Sequence, residues 1–411
     1  MTSKQVSPLY TAAALALGAA VSLGLARFSY ALLLPPMRAD LGWSYTTAGA
    51  MNTVNAAGYL VGALLAPSWL ARHDPRALML AGMLAAALLL AAHALAPNDA
   101  ALYILRGLTG VASAATFIGG GLLAARLGSG PAKSPGPGRG PPAGLVLGIY
   151  YGGTGLGIVG SALLVPALVT LADSAAAGDL AGWRWAWAGL GAAALLATVL
   201  ALGSTRALAA CATSTGTRAA FDWRPLGFGL AAYLMFGFGY IGYMTFVVTL
   251  LREQQLPAGQ IVAFYVLLGL GVIASSWLWA GLLQRQRGGV PLALFNGLLA
   301  LATLLPVVSA QPLVVFASGA LFGGVFLSVV ASTTALVRHN LPPAAWSGGI
   351  AAFTVVFAAG QIVGPTLVGW VADGPGGLAR GFVVSAAALA LGSVLATRQR
   401  ALRAPDAQPY L

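Results

Sequence analysis

Long apolar stretches separated by short polar segments run through the whole chain. Twelve of these stretches come close to or exceed the ~20 apolar residues that a helix needs to cross a bilayer. They lie at residues 9–36, 46–70, 76–96, 99–127, 144–171, 184–205, 225–251, 259–283, 289–309, 312–337, 346–372 and 379–398. We place the end of the first stretch at Pro35 and Pro36. The pattern predicts an all-α integral membrane protein with twelve transmembrane helices.

The composition agrees with this prediction and excludes several other classes of protein. Hydrophobic residues make up 59% of the 411 residues and charged residues only 7%, whereas a soluble domain carries about 25% charged residues. The one cysteine, Cys211, cannot form an internal disulfide, and the three histidines are spread along the chain. Because no ligating side chains cluster in the sequence, we expect no metal site and no cofactor.

The basic residues predict how the chain is oriented. Of the 21 Lys and Arg residues, fifteen fall in loops and tails on the side of the N-terminus, four on the other side and two within spans. Cytoplasmic loops are enriched in Lys and Arg, so we expect both termini in the cytoplasm. The net charge of +12 is then a topological signal and an attraction to the bilayer surface, and we expect no nucleic-acid partner.

The chain divides near its middle into two similar halves. A polar linker at residues 206–224 separates a predicted six-helix bundle at 1–205 from a second at 225–411. GLARFSYALLLP, at 24–35, matches GFGYIGYMTFVV, at 237–248, and GIVGSALLV, at 157–165, matches QIVGPTLVG, at 361–369. In the first match Arg27 corresponds to Tyr240 and Tyr30 to Tyr243. Six spans followed by six similar spans in the same orientation predict two parallel repeats.

Several local motifs resemble those of the major facilitator superfamily. RGLTG, at 106–110, is similar to the RxxxG motif of that family's fourth helix, and the loop at 67–80 keeps Arg72 and Arg76 of the GxxxDRxGRR signature. Pro67 and Ala71 stand where that signature has glycine and aspartate, so the resemblance does not extend to the conformational latch at this loop. ARFSYALLLPPM, the NxxGY of 55–59 and GQIVGP, at 360–365, resemble the bacterial YbfB/YjiJ group. The resemblance implies a transporter and names no cargo.

Arg27 is the most informative single residue because a charge within a span is costly and points to function. At ~1.5 Å per residue, it lies ~12 Å from the end of its span at Pro35, and Arg106 lies ~9 Å from the start of its own near Ala100. We therefore expect the two arginines at a similar depth, where they could grip a carboxylate or phosphate. The alternative is a structural role, in which each binds helix carbonyls or reaches toward the surface.

All nine acidic residues map to loops or span ends. Because no carboxylate lies in mid-membrane, a pocket for cationic drugs is disfavoured. Facilitated diffusion, anion exchange and proton coupling through the solute or through tyrosines and water all remain open. GLGIVG, at 155–160, fits the dinucleotide pattern GxGxxG but lies within a span with no preceding strand, so its glycines are interpreted as close helix contacts.

We therefore predict a secondary transporter that moves a small polar, anionic or zwitterionic, organic solute by alternating access. Multidrug or amphipathic-solute efflux is the alternative, and an enzyme is not expected. The candidate substrate-binding residues are Arg27, Tyr30, Asn55, Tyr59, Arg106, Tyr151, Tyr240, Tyr243 and Gln361. For the polar ones, the alternative is hydrogen bonding between helices. We expect a monomer in the bacterial inner membrane, with the lipid bilayer and the solute as its partners.

Overall fold

The computed structural model describes residues 7–128, 143–174, 181–206, 208 and 222–402. Twelve long helical segments account for nearly all of this part of the chain. They are α1 Pro8–Leu41, α2 Tyr45–Leu70, α3 Pro75–His93, α4 Asp99–Gly128, α5 Ala143–Ser174, α6 Gly182–Ser204, α7 Gly227–Glu253, α8 Ala258–Arg285, α9 Val290–Val308, α10 Pro312–Asn340, α11 Trp346–Ala372 and α12 Gly377–Thr397. Short 3-10 turns at Arg224–Leu226 and Pro343–Ala345 precede α7 and α11.

The predicted all-α architecture with twelve spans is confirmed. Eleven of these helices, among the described residues, are long and apolar enough to cross a membrane. The twelfth, α2, has 26 residues, and its length of ~39 Å is sufficient to cross. Its apolar content is lowered by polar residues on its buried side, among them Asn52 and Asn55. These polar side chains matter for the candidate site.

Helix α1 is not a uniform α-helix. It consists of an α-helical segment at Pro8–Ala19, a π-helix at Ala20–Phe28 and a second α-helical segment at Tyr30–Leu41. The predicted end at Pro35 and Pro36 is wrong, because both prolines lie inside the second segment. Prolines are tolerated inside a transmembrane helix because groups of neighbouring helices pair the backbone atoms that the proline leaves without a helical partner. The helix ends instead at Gly42, whose φ of 66° is the left-handed cap that favours glycine.

The same helix pairs pack in each set of six. Helix α1 packs on α5, α2 on α4 and α3 on α6; in the second set, α7 packs on α11, α8 on α10 and α9 on α12. This correspondence is what two parallel repeats produce. The sets meet where α1 contacts α7, α2 contacts α11 and α5 contacts α8. The predicted linker falls largely on residues 209–221, which lie outside the described residues, so the domain boundary remains a prediction.

An even number of spans brings both chain ends to one face of the bundle. We call this the terminal face; it carries the start of α1 and the end of α12. The far face carries the connections at 42–44, 254–257 and 373–376. Membrane depth is given below relative to these two faces.

Glycines allow α5 to pass very close to a helix of each half. A Cβ on Gly24 of α1 would lie 2.4 Å from the Cα of Gly157, and one on Gly155 would lie 2.4 Å from the carbonyl oxygen of Gly269 on α8. Both distances are far below van der Waals contact. The interpretation of the GLGIVG glycines as close helix contacts is therefore confirmed for Gly155 and Gly157, whereas a Cβ on Gly160 would meet nothing within 4 Å.

Candidate functional site

Arg27 contacts the other half of the molecule near the middle of the membrane. It lies at the end of the π-helix, and its side chain is only 4% exposed. Its Nη2 donates a hydrogen bond to Oε1 of Gln361 on α11. Its Nε is buried without a partner. The guanidinium thus bridges the two halves and has hydrogen-bonding capacity left for a ligand.

Arg106 is held entirely within the first half. It is fully buried, and it donates from Nη1 to the carbonyl of Ala26 at 2.8 Å and from Nη2 to Oδ1 of Asn52 at 2.7 Å. Its guanidinium carbon lies 4.8 Å from the ring centroid of Tyr30. These contacts correspond to a structural role, in which Arg106 binds a helix carbonyl, and not to the predicted substrate-binding role.

The two guanidinium groups lie at different depths. Arg106 binds Asn52, whereas Arg27 lies 5.9 Å from the ring centroid of Tyr59. Asn52 and Tyr59 are seven residues apart on α2, which corresponds to ~10 Å along the helix. The expected similar depth is therefore wrong. The physical reason is that α1 continues past the prolines to Leu41, which places Arg27 deeper than predicted.

The π-helix explains why Arg106 is needed. A change from π-helical to α-helical hydrogen bonding leaves backbone carbonyls without helical partners, and buried carbonyls must be paired. Arg106 pairs the carbonyl of Ala26, and the hydroxyl of Tyr265 on α8 donates to the carbonyl of Phe28 at 2.6 Å. These two side chains fix the backbone on both sides of Arg27.

Four of the predicted site residues have internal hydrogen bonds. Besides Arg106, they are Tyr30, which donates to the carbonyl of Ala48 at 2.9 Å, and Asn55, which donates to the carbonyl of Arg106 at 3.0 Å. The fourth, Tyr243, pairs with the Ser318 hydroxyl at 2.8 Å. Each bond joins two helices of the same half. The structure brings none of these four groups to the Arg27–Gln361 contact.

The other three predicted tyrosines differ in a specific way. The hydroxyls of Tyr59, Tyr151 and Tyr240 have no hydrogen-bond partner among the residues that the structure describes. Tyr59 is half-buried, and it lies on the side of α2 that is turned away from the exposed Val61 and Leu65. At about 100° per residue, its ring points into the bundle. These hydroxyls are available to a ligand.

The interior of the bundle is accessible from the terminal face. Tyr151 is 38% exposed and lies well away from the side of α5 that carries the exposed Leu156 and Leu163. On α11, Thr354 lies seven residues before Gln361 and therefore on the same side of the helix. Gln361 is 4% exposed, whereas Thr354 is exposed. The interior side of these helices becomes accessible toward the terminal face.

Toward the far face, polar contacts join the halves. Asn52 donates to the Thr245 hydroxyl at 2.8 Å, so that Arg106, Asn52 and Thr245 form a chain of hydrogen bonds from α4 through α2 to α7. The next residue of α2, Thr53, donates to the carbonyl of Ile362 on α11 at 2.6 Å. These bonds lie between Arg27 and the far face.

At the far face itself, Asp373 joins α11 to the start of α2. Its carboxylate accepts hydrogen bonds from the backbone of Tyr45 at 2.7 Å, the backbone of Thr46 at 2.9 Å and the Thr46 hydroxyl at 2.6 Å. Burial alone would raise the pKa of Asp373, but these hydrogen bonds outweigh it and lower that pKa below its ordinary value. An aspartate from one half thus caps a helix of the other.

A second far-face contact lies beside the first. Glu253 accepts a hydrogen bond from the Tyr45 hydroxyl and lies 3.7 Å from Nη1 of Arg38. The Arg38 guanidinium carbon lies 3.7 Å from the centroid of the Tyr45 ring. The far face is therefore closed across the two halves.

No acidic side chain accompanies Arg27 within the described part of the chain. The acids whose side chains are described lie at helix ends or in loops; they are Asp40, Asp74, Asp99, Asp222, Glu253 and Asp373. The described residues also contain no group of His, Cys, Asp and Glu side chains that could hold a metal ion.

Comparison with known proteins identifies the family. A family model described as "Uncharacterised MFS-type transporter YbfB" matches residues 19–397. The chain belongs to this family. The resemblance inferred from the ARFSYALLLPPM, NxxGY and GQIVGP motifs is thereby confirmed. No curated protein matches the chain.

Solved structures show the same major facilitator fold. A bacterial homologue of the human lysosomal transporter Spinster, inward-facing and occupied, has a TM-score of 0.69 at 15% identity, over 95% of this chain and 96% of that one. The nucleoside transporter NupG has a TM-score of 0.67 at 15% identity, over 95% and 97%. Tetrameric PepTSo2 has a TM-score of 0.70 at 14% identity, over 95% and 96%. Family and fold are those of multi-pass membrane transporters.

Several residues around the site could not be recognised in the sequence. Tyr265 and Thr245 look like ordinary span residues and Tyr45 directly precedes the predicted second span, and no spacing rule relates them to Arg27. Asp373 was recognisable only as an acid at a span end. One signal is present in the sequence: Asn52, Asn55 and Tyr59 follow one another at helical spacing, which indicates the polar side of α2.

Proposed function

We propose that this transporter moves a small polar, anionic or zwitterionic, organic solute across the bacterial inner membrane by alternating access. The observation that carries the proposal is the Arg27 guanidinium. It lies near mid-membrane with one hydrogen bond to a neutral amide, an unpaired Nε and no carboxylate partner within the described chain. A cation in this environment is best stabilised by an anion.

The distribution of contacts supports an alternating-access cycle. Asp373, Glu253 and the Asn52–Thr245 pair close the route on the far-face side of Arg27. On the other side, Tyr151 and Thr354 are exposed. With the basic loops on the terminal face placed in the cytoplasm, this arrangement corresponds to an inward-facing state, and a solute from the cytoplasm would reach Arg27.

The test is solute flux into proteoliposomes across a panel of carboxylates, phosphates, amino acids and neutral analogues. We expect Arg27→Ala to abolish uptake of the cognate solute and Arg27→Lys to weaken it strongly, because lysine lacks the planar pair of donors. Arg338→Ala, near the end of α10, is the control for loss of a charge. Near-normal flux in both Arg27 variants would overturn the proposal.

Efflux of amphipathic solutes has one observation in its favour. Rings of α7, α10 and α11 form a continuous aromatic stack, in which Phe236 and Tyr240 are 4.8 Å apart and Tyr240 and Phe326 are 5.3 Å apart. Such a surface suits apolar solutes. This second candidate predicts drug resistance in cells that persists in Arg27→Ala, which separates it from the first.

A further inference from the structure

The charge around Arg27 limits the charge of the solute. Arg106, the other arginine buried within the bundle, donates to the Ala26 carbonyl and to Asn52 and also has an unpaired Nε, but it lies on the far-face side of Arg27 beside the Asn52–Thr245 contact that closes that route. The remaining Lys and Arg residues of the described part lie in loops or near helix ends. A second carboxylate on the solute would therefore lose its hydration without gaining a cation, and an ammonium group would find no carboxylate. The single guanidinium of Arg27 therefore favours a solute that carries one negative charge.

One aromatic ring contacts the Arg27 guanidinium, and a second lies one helical turn from its partner Gln361. Tyr59, from the first half, has its ring centroid 5.9 Å from the Arg27 guanidinium carbon. From the second half, Phe357 precedes Gln361 by four residues and so lies one turn nearer the terminal face on the same side of α11. Both rings are half-buried, which leaves part of each surface accessible.

The Phe357 ring is held in place by its neighbours. It stacks on Tyr233 at 4.8 Å, on Phe236 at 5.3 Å and on Tyr240 at 5.6 Å, with interplanar angles of 19°, 9° and 16°. Three nearly parallel rings on α7 therefore fix its orientation. A pre-formed aromatic surface favours a planar apolar group, because stacking then costs little side-chain entropy.

We propose that the site takes a monocarboxylate with a planar ring, its carboxylate on Arg27 and its ring against Tyr59 and Phe357. This inference rests on the proposed function and narrows its solute class. The free hydroxyls of Tyr59 and Tyr240 supply donors for carboxylate lone pairs that Arg27 leaves unpaired. Zwitterions and dicarboxylates are excluded by the charge count, and short aliphatic acids lack the ring.

Five small molecules test the contributions of the carboxylate and of the ring separately. Benzoate has both features, benzamide has the ring without the charge, and acetate has the charge without the ring. Phthalate adds a second carboxylate and phenylalanine adds an ammonium. The measurement is the melting temperature of the purified full-length protein at increasing probe concentration, since a ligand of the native state must stabilise it. We expect benzoate to bind at least ~10-fold more tightly than the other four.

Variants then test where the ring lies. Phe357→Leu should weaken benzoate binding about 5-fold and leave acetate binding unchanged. Phe382→Leu is the control, because Phe382 is a buried ring that packs on Tyr243 within the second half, with ring centroids 5.8 Å apart. If both variants weaken benzoate binding equally, the loss comes from reduced protein stability, and the proposed role of Phe357 is wrong.

The outcomes distinguish this inference from the proposed function. If acetate, phthalate or phenylalanine binds as well as benzoate and Arg27→Ala removes that binding, the proposed function stands and the aromatic class is wrong. If benzamide binds as well as benzoate in wild type and Arg27→Ala, both fail. If none of the five probes shifts the melting temperature, the aromatic class is wrong, and the flux panel decides the proposed function.

Discussion

Arg106 donates a 2.8 Å hydrogen bond to the carbonyl of Ala26, the residue that precedes Arg27. One arginine thus holds the backbone from which the other projects. The bond crosses from α4 to α1 within the first half, and it compensates for a carbonyl that the π-helix leaves unpaired. Of the two arginines within spans, we assign one to the backbone and propose the other as the binding group.

This division of roles predicts different responses to substitution. Arg106→Ala leaves the Ala26 carbonyl and Oδ1 of Asn52 without a partner, and each buried unpaired group costs about 1–3 kcal/mol. We expect the melting temperature of the purified protein to fall by several degrees. Arg27→Ala removes one hydrogen bond at the interface of the halves, so its effect on melting should be smaller while solute-induced stabilisation is lost. A larger melting loss in Arg27→Ala than in Arg106→Ala would contradict the assignment.

The sequence predicted the architecture well because lipid imposes a simple rule. Twelve spans, the two repeats and the position of Arg27 within a span all follow from apolar length and from the cost of a buried charge. The π-helix at Ala20–Phe28 did not follow, because the apolar pattern does not distinguish hydrogen bonds five residues apart from bonds four apart. The partners of Arg106 were likewise hidden, since they lie on two other helices, α1 and α2.

The candidate site was predictable in part for the same reason. Arg27, Tyr59, Tyr240 and Gln361 were all chosen as polar residues within spans, and the structure places Gln361 and Tyr59 beside Arg27. Tyr30, Asn55 and Tyr243 met the same criterion, yet they make hydrogen bonds within one half. A sequence cannot show which buried hydroxyl already has a partner. That depends on the packing of helices distant in the chain.

A pair of glycines in α5 tests the close helix contact. A Cβ on Gly157 would lie 2.3 Å from the carbonyl oxygen of Ala20 and 2.8 Å from the Cα of Gly24, whereas one on Gly160 meets nothing within 4 Å. Gly157→Ala should therefore separate α1 from α5 and destabilise the protein by about 1–3 kcal/mol. Gly160→Ala, three residues away on the same helix, should melt like wild type. The measurement is the melting temperature of the two variants. Equal melting temperatures would show that α1 and α5 can move apart without loss of stability.

Asp373 should control access from the far face. Asp373→Ala removes three hydrogen bonds across the halves, so we expect the far face to open more often. The measurement is labelling of a cysteine at position 245 by a membrane-impermeant maleimide, with Cys211 replaced by serine. Asp40→Ala is the control, since Asp40 is also acidic and near the far face but accepts its 2.7 Å hydrogen bond from Trp183 of its own half. Labelling that rises equally in both variants would rule out a specific role for Asp373.

The same contact has a defined pH dependence. The pKa of Asp373 is lowered in the closed state, so the closed state binds its proton less readily than an open state with an ordinary carboxyl pKa. Its stabilising effect is therefore complete above the ordinary value of 3.8 and is lost as the pH falls below it. Because only the thiolate reacts, the labelling rate at each pH is divided by that of a permanently exposed cysteine. In wild type, we expect this normalised rate at position 245 to stay constant between about pH 5 and 8 and to rise in more acidic buffer. Asp373→Ala should remove the acidic rise, and a rise that persists would place the titrating group elsewhere.

Gln361→Glu supplies the anion that the Arg27 site lacks. The new carboxylate occupies the position of the amide that already accepts from Arg27, so a charge-assisted hydrogen bond replaces a neutral one. We expect the variant to melt at a higher temperature than Gln361→Met, which is similar in size but offers Arg27 no comparable acceptor. It should also lose transport and solute-induced stabilisation, because the internal carboxylate competes for the guanidinium.

Adding Arg27→Met to Gln361→Glu leaves a buried carboxylate without a cation, so the double variant should be less stable than the sum of the single effects predicts. Additive melting changes in this cycle, or wild-type transport by Gln361→Glu, would show that Gln361 does not occupy the anion position.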